Sequence, residues 1–207
     1  MGSSPPEQEA AAAGAFPTPE QRAQQALAEV RAGRKEAFSE IVELYQDDVM
    51  TLSLTLMWDR TEAEELTQDV FVRAYRYLDS FDDRRPFRPW LAKITYRLAQ
   101  SRRQQRAREA ARRDVALSKQ VVQSDDDPLS ILLADEQARR LWLAVHTLPD
   151  RERAAVVLYY RNALRVSEVA QAMGVSTGTV KTFLIRARRH LGIALGPSDQ
   201  RSTRRPL

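Results

Sequence analysis

The sequence predicts an all-α fold made of two small helical domains joined by a flexible linker. Three observations predict it. Apolar residues recur at i, i+3 and i+4 along most of the chain, and no alternating run is long enough for a strand. The stretch 114–130 is weakly apolar and ends in Ser124-Asp125-Asp126-Asp127-Pro128, an acidic run closed by a helix breaker. Near the C-terminus two short helical patterns flank Gly174 in the manner of a helix-turn-helix. With 207 residues, 43% of them apolar, the chain can hold two small cores. The expected divisions are a disordered extension over 1–24, a first domain over 25–113, an acidic linker over 114–130, a second domain over 131–195 and a tail over 196–207.

Residues 1–19 are rich in Ala, Pro and Ser, too poor in large apolar side chains to offset the entropy of ordering. Pro19 and Glu20 can open a helix, with Ala23, Leu27 and Val30 as a thin stripe ending at Gly33. From Glu36 the period is clear, with Phe38, Ile41, Val42, Tyr45, Val49, Leu52 and Leu56 on one face. After a break at 59–61 a second core helix carries Ala63, Leu66, Val70, Ala74 and Leu78 inward. Residues 80–86 form a loop. A third helix runs from about Pro89, with Trp90 or Leu91, Ile94 and Leu98 as its stripe. In the second half one helix lies near 131–147, and another is opened by Pro149 and carries Val156, Val157 and Tyr160.

Charge is distributed in blocks that the overall balance of +4 hides. Residues 36–83 hold thirteen acids against Arg60, Arg73 and Arg76, a formal charge of −10. Residues 84–113 hold eleven Arg and Lys against Glu109, a formal charge of +10. Adjacent blocks of opposite sign in one folded unit point to two partners, one met by carboxylates and one by arginines. The basic block also carries Phe87, Trp90, Ile94 and Tyr96, and rings beside guanidinium groups suit a nucleic acid, whose phosphates pair with the cations while exposed bases stack.

The chain has no cysteine and two histidines, which argues against disulfides, thiolate metal sites and a histidine-rich metal centre; no cofactor is expected. No stretch approaches the roughly 20 apolar residues of a membrane span, and the alanine run at 10–13 follows acids rather than basic residues, so a soluble cytoplasmic protein is expected.

The most specific signal is 166–191. Ser167 is placed to cap a short helix containing Val169, Ala170 and Met173, Gly174 supplies the turn, and Ser176 caps a second helix. At about 100° per residue, Val180, Leu184, Ala187 and Leu191 form one stripe. Gly178, Thr182, Ile185, Arg186 and Arg189 lie opposite, where a recognition helix meets the major groove. Lys181 and Arg188 flank that face, placed for phosphates.

Several blocks in order resemble the sigma-70 family of bacterial transcription initiation factors, specifically its extracytoplasmic-function (ECF) group. They are Ala37-Phe38, the run Ala63-Glu64-Glu65-Leu66-Thr67-Gln68-Asp69-Val70-Phe71-Val72-Arg73-Ala74-Tyr75, and Phe87-Arg88-Pro89-Trp90-Leu91. Leu148-Pro149, Gly178-Thr179-Val180-Lys181-Thr182 and Arg186-Ala187-Arg188 follow in the second half. The resemblance implies that 25–113 is region 2, which docks on the polymerase β′ subunit through Glu65, Gln68, Asp69 and Phe71, although Phe71 suits the core equally. It implies that Ser80, Phe81, Asp82, Arg84, Arg85 and Phe87, with Trp90, Lys93, Arg97 and Arg102 along the helix, hold the −10 element and a flipped base. It implies that 131–195 is region 4, reading the −35 duplex through Ser176, Thr177, Gly178, Thr179, Lys181, Thr182, Ile185, Arg186 and Arg189. The implied partners are core RNA polymerase (β′ and β), promoter DNA as duplex and melted strand, and an anti-sigma factor. Two places depart from the family pattern. Arg97 and Ser101 stand where an Asn and an Asp are common, and Phe183 stands where an Arg is common.

Two other classes compete. A dimeric helix-turn-helix regulator would leave the basic, aromatic stretch 84–113 without a task. An enzyme would use Glu65 and Asp69 as a paired acid and base, yet there is no Glu-x-x-His pair, no Gly-rich phosphate loop and no His near a nucleophile.

Overall fold

The computed structural model describes residues 17–57, 59–112 and 136–195. Among them every regular element is helical. The expected linker with its Ser124–Asp127 run, the first sixteen residues and the tail lie outside the described residues. The chain forms two compact units, 1–44 and 45–207, whose boundary falls inside the second helix.

In the first unit α1 (Pro19–Arg31) starts where Thr18 and Gln21 cap each other, the Thr18 Oγ1 accepting from the Gln21 amide at 3.2 Å and the Gln21 Oε1 accepting from the Thr18 amide at 2.8 Å. Its buried stripe is Ala23, Ala26 and Leu27, while Val30 is only half-buried. The Arg22 Nε lies 2.8 Å from Glu40 Oε1 on α2 (Phe38–Met57), after a 3-10 turn at Lys35–Ala37.

In the second unit residues 51–57 of α2 are buried on every side, as a helix enclosed by others requires. The polar members are satisfied locally: Thr55 donates to the Thr51 carbonyl at 2.7 Å, and Ser53 meets the Thr67 hydroxyl at 3.2 Å. Helix α3 (Arg60–Arg76) is capped by Asp59, which accepts from the Glu62 amide at 2.8 Å. Ala63, Leu66, Val70, Ala74 and Leu78 are buried as the period predicts, Leu78 within a 3-10 turn at Leu78–Ser80.

Helix α4 (Phe87–Arg112) begins two residues before Pro89, which is accommodated in the first turn. Its core differs from the predicted stripe. Phe87, Leu91, Ala92, Thr95, Tyr96 and Ala99 are buried, an arc of about 180° at 100° per residue, whereas Trp90 and Ile94 are half-buried outside that arc and Leu98 is half-buried near its edge. The reason is packing on two sides: α4 lies against α3 and also against α7 (Val166–Met173). The described residues 45–57, 59–112 and 136–195 all fall within one compact unit.

The second core is built by α5 (Glu136–His146), α6 (Asp150–Val156), α7 and α8 (Thr177–Leu195). A π turn, Val157–Arg161, extends α6. Arg153 is fully buried, donating to the carbonyls of His146 at 3.0 Å and Leu148 at 3.2 Å and pairing with Asp150 at 2.5 Å. Burial brings its pKa down to about 10 despite Asp150. The cap expected from Ser167 falls elsewhere: α7 opens after Arg165, whose amide donates to Glu168 Oε2 at 2.7 Å, and Ser167 lies inside the first turn. Gly174 adopts φ 68° and ψ 36°, the left-handed turn that an L side chain resists, and Ser176 Oγ accepts from the Thr179 amide at 3.1 Å to start α8.

Candidate nucleic-acid interface

The loop 81–86 and one side of α4 form a groove of about 880 Å3. Its floor is an aromatic stack in which Phe81, Phe87 and Trp90 have ring centres 5.1 to 5.2 Å apart, with Tyr45 5.4 Å from Phe87 beneath. Phe87 is 1% exposed and Phe81 6%, so these two rings support the groove from within its wall, and Trp90 is the ring presented into it. Ser80, Asp82, Arg85, Lys93 and Arg97 line the same groove. Arg84 does not; it turns back on Asp82, which accepts from its amide and its Nε, both at 3.1 Å. The Arg84 amide and then its side chain hold the Asp82 carboxyl below the usual carboxylate range.

Two groove residues escaped the sequence reading. Arg73 and the exposed Tyr77 line the groove from the end of α3, with the Arg73 guanidinium 5.5 Å from the Tyr77 ring centre. The i, i+4 spacing of an arginine and a tyrosine on one helix was the available signal. From the opposite side Glu168 and Gln171 of α7 complete the lining.

Arg102 is not in the groove. It lies about 120° round α4 from Trp90 and reaches α3, its Nη2 2.5 Å from Asp69 Oδ2 and its Nη1 3.7 Å from Glu65 Oε2. Arg106 pairs with Glu62 one turn on. Glu65, Gln68 and Asp69 share an exposed face with Val72, which is 49% exposed. Phe71 is 8% exposed and belongs to the core, so Val72 is the apolar member of that face. Glu65 and Asp69 thus share the Arg102 guanidinium within the chain.

On α8 the predicted stripe is buried without exception: Val180, Leu184 and Ala187 at 0% and Leu191 at 4%. Gly178, Thr182, Ile185, Arg186 and Arg189 are exposed together, as are Thr177, Lys181 and Ser176, with Thr179 half-buried at the cap. Lys181, Arg186 and Arg189 have no ion pair among the described residues. Arg188 is committed otherwise, donating to the Tyr160 hydroxyl at 2.8 Å while lying 5.8 Å from its ring centre. Phe183 is half-buried beside the core stripe, as a packing side chain would be.

Residues 41–109 match the family description Sigma-70 region 2, and residues 138–191 match Sigma-70, region 4. The chain is 30% identical over 172 residues to the ECF RNA polymerase sigma factor SigW of Bacillus subtilis, covering 80% of this chain and 92% of the relative. The chain belongs to the ECF group of the sigma-70 family. It is also 32% identical over 189 residues to the ECF RNA polymerase sigma-E factor of Haemophilus influenzae, covering 86% of this chain and 98% of that one. Its fold is that of the sigma factor RpoE of Bartonella quintana, crystallised with the anti-sigma factor NepR, at a TM-score of 0.61 and 23% identity over 76% of this chain and 96% of that one. CnrH, solved with the cytosolic domain of CnrY, gives a TM-score of 0.58 at 22% identity over 84% and 97%. In this sigma factor the region 2 match contains the acidic face and the α3, loop and α4 sides of the groove, and the region 4 match contains the α7 side and most of α8. Among the described residues no helix is long and apolar enough to cross a membrane, and no cluster of His, Cys, Asp and Glu could hold a metal ion.

Proposed function

We propose that this sigma factor binds core RNA polymerase through β′ and β, reads the −35 and −10 elements of its promoters and opens the duplex at the start site. It works in the cytoplasm as a specificity subunit without catalysis of its own, and an anti-sigma factor restrains it. The observation that carries the proposal is three chemically distinct surfaces in one chain. An acidic face with Glu65, Gln68, Asp69 and Val72 suits the basic polymerase partner. A cationic groove with a presented Trp90 suits an unpaired strand, whose bases each offer a stacking face. An exposed α8 face mixing Thr182, Ile185 and Arg186 suits a major groove, where a guanidinium can pair with guanine and a methyl group can meet thymine. A dimeric duplex-binding regulator would use the last of these and leave the first two without a partner.

The test is run-off transcription with purified core polymerase on a supercoiled library of random promoters. Discrete new starts in the presence of the protein, lost with Glu65→Lys and Asp69→Lys together, are the expected result. Tight duplex binding by the protein alone, without polymerase-dependent transcripts, would instead favour the regulator.

A further inference from the structure

The α4 side of the groove offers a ring followed by hydrogen-bond donors. Trp90 is presented into it, and Lys93, Arg97 and Ser101 follow on the same helix. At 100° per residue Arg97 and Ser101 each return to within about 20° of Trp90, so the three stand in one line along α4, with Lys93 about 60° to one side. Arg97 is exposed and Lys93 half-buried, and neither has an ion pair among the described residues, unlike Arg88, Arg102 and Arg103 of the same helix. The other cations and the carboxylate on the α3 and loop sides are committed. Arg73 lies 5.5 Å from the Tyr77 ring centre, and Arg85 lies 3.6 Å from Asp82. Asp82 also accepts from the Arg84 amide and Nε, and the Ser80 hydroxyl donates to the Tyr77 carbonyl at 2.6 Å. The charged groups left for a ligand on the α3, loop and α4 sides are therefore Lys93 and Arg97.

A base held here is chosen by what its edge offers to those groups. Stacking on Trp90 accepts any base, because every base has a π-face. About two turns separate Trp90 from Arg97, roughly 10 Å of rise, and side chains on a helix lean toward its N-terminus, which directs the guanidinium back toward the edge of a base on Trp90. A guanidinium donates in parallel and accepts nothing. Adenine sets an amine beside its N7, and thymine sets a methyl group beside its O4, so neither offers it two acceptors side by side. Guanine does so with O6 and N7, and cytosine with N3 and O2. Cytosine carries its pair on a single ring and next to the sugar, whereas guanine carries O6 and N7 on a larger stacking face that reaches further along the groove. We infer that the groove selects guanine, stacked on Trp90 with O6 and N7 accepting from Arg97, and that Arg97 is the residue that sets the base choice. The inference deepens the proposed strand-binding function and rests on it. Lys93, a point charge off the line, suits an adjacent phosphate and carries no sequence information. Arg97 also departs from the family pattern, so the choice is a property of this chain.

The experiment uses the protein bound to core polymerase, with core polymerase alone as the blank. Labelled thymidine strands of one length carry A, C, G or T at the central position, and anisotropy titration gives the affinity of each. The guanine strand should bind roughly tenfold more tightly than the other three. Arg97→Lys keeps the charge but loses the planar fork, and should bring the guanine strand down to the level of the others. Arg97→Gln suits N6 and N7 of adenine and should move the preference to that base. Arg97 is exposed, so neither substitution reaches the core. Equal binding of the four strands by the parent, a preference for cytosine, or a guanine preference that survives in Arg97→Lys would overturn the inference. Run-off transcription separates this outcome from the function beneath it. Polymerase-dependent starts without a guanine preference would sink the base choice and leave the promoter function standing. A guanine preference without such starts would support the base choice and sink the promoter function.

Discussion

The groove on α4 and the exposed face of α8 are both basic, yet they hold their charge differently. On α8, Lys181, Arg186 and Arg189 project from a helix whose opposite side is fully buried, and they have no ion pair among the described residues. Around the groove, Arg85 lies 3.6 Å from Asp82, Arg73 lies over Tyr77, and Glu168 faces the remaining cations. Duplex DNA offers a rigid, regular target, so a reader can be built in advance and left exposed. A melted strand exists only after unstacking has been driven, so a surface for it can stay neutralised within the chain until then.

The strongest test of this contrast removes one surface and leaves the other. Leu184→Ala cuts the buried stripe of α8 and is expected to cost about 2 to 5 kcal/mol of stability in the second core. Thermal unfolding should then separate into two steps, with −35 duplex binding lost and single-strand binding retained. A single cooperative loss of both would mean that the two surfaces share one folding unit. Next in size, Trp90→Ala removes the ring presented into the groove and should weaken single-strand binding by about 1 to 3 kcal/mol, with −35 duplex binding unaltered. Equal losses on both DNA forms in a titration would show that Trp90 supports the fold instead of stacking a base.

How far each surface was legible in the sequence follows the same division. The period of α8 gave both its buried and exposed faces because one helix meets one core, so position along the chain fixes direction. Helix α4 defeated that logic. With α3 on one side and α7 on another it buries about 180° of its circumference, so Ile94 and Leu98 leave the core for the groove rim and Thr95 and Ala99 enter it. Arg102 reads as one more cation in a basic run, and only the placement of α3 shows that Asp69 and Glu65 hold it. Phe71 and Val72 are adjacent and both apolar; the register of α3 against its neighbours decides that Val72 is exposed. A local contact sets the start of α7, where Glu168 caps the amide of Arg165 and Ser167 is left inside the helix.

Within α8 the comparison sharpens to single side chains. Arg186 faces outward beside Ile185, and Arg186→Ala should cost about 1 to 3 kcal/mol on the preferred −35 sequence and relax the preference at one base position. Lys181→Ala should lower binding about equally across sequences and reduce the salt slope by about 1. Anisotropy titrations over a salt series on matched and mismatched duplexes separate the two roles. An unchanged slope for Lys181→Ala would refute its phosphate contact.

The smallest effect concerns the joint between the surfaces. Burial raises the Asp48 carboxyl above its ordinary 3.8, outweighing the attraction of Arg88 on α4 and Arg161 in the π turn, while Asp47 beside it adds to the rise. A carboxyl whose pKa is raised in the folded form contributes stability that is fully present below 3.8 and is lost as pH climbs through the raised value. At neutral pH the ionised Asp48 thus holds the geometry of the joint at a net cost, as buried ion pairs often do. Asp48→Asn keeps the shape without the charge. Denaturant unfolding of that variant should show higher stability than the parent at pH 7. As pH falls toward 3.8 the parent's Asp48 takes up its proton and the two curves should converge. Curves that stay apart at low pH would show that the effect of the substitution does not come from the Asp48 charge.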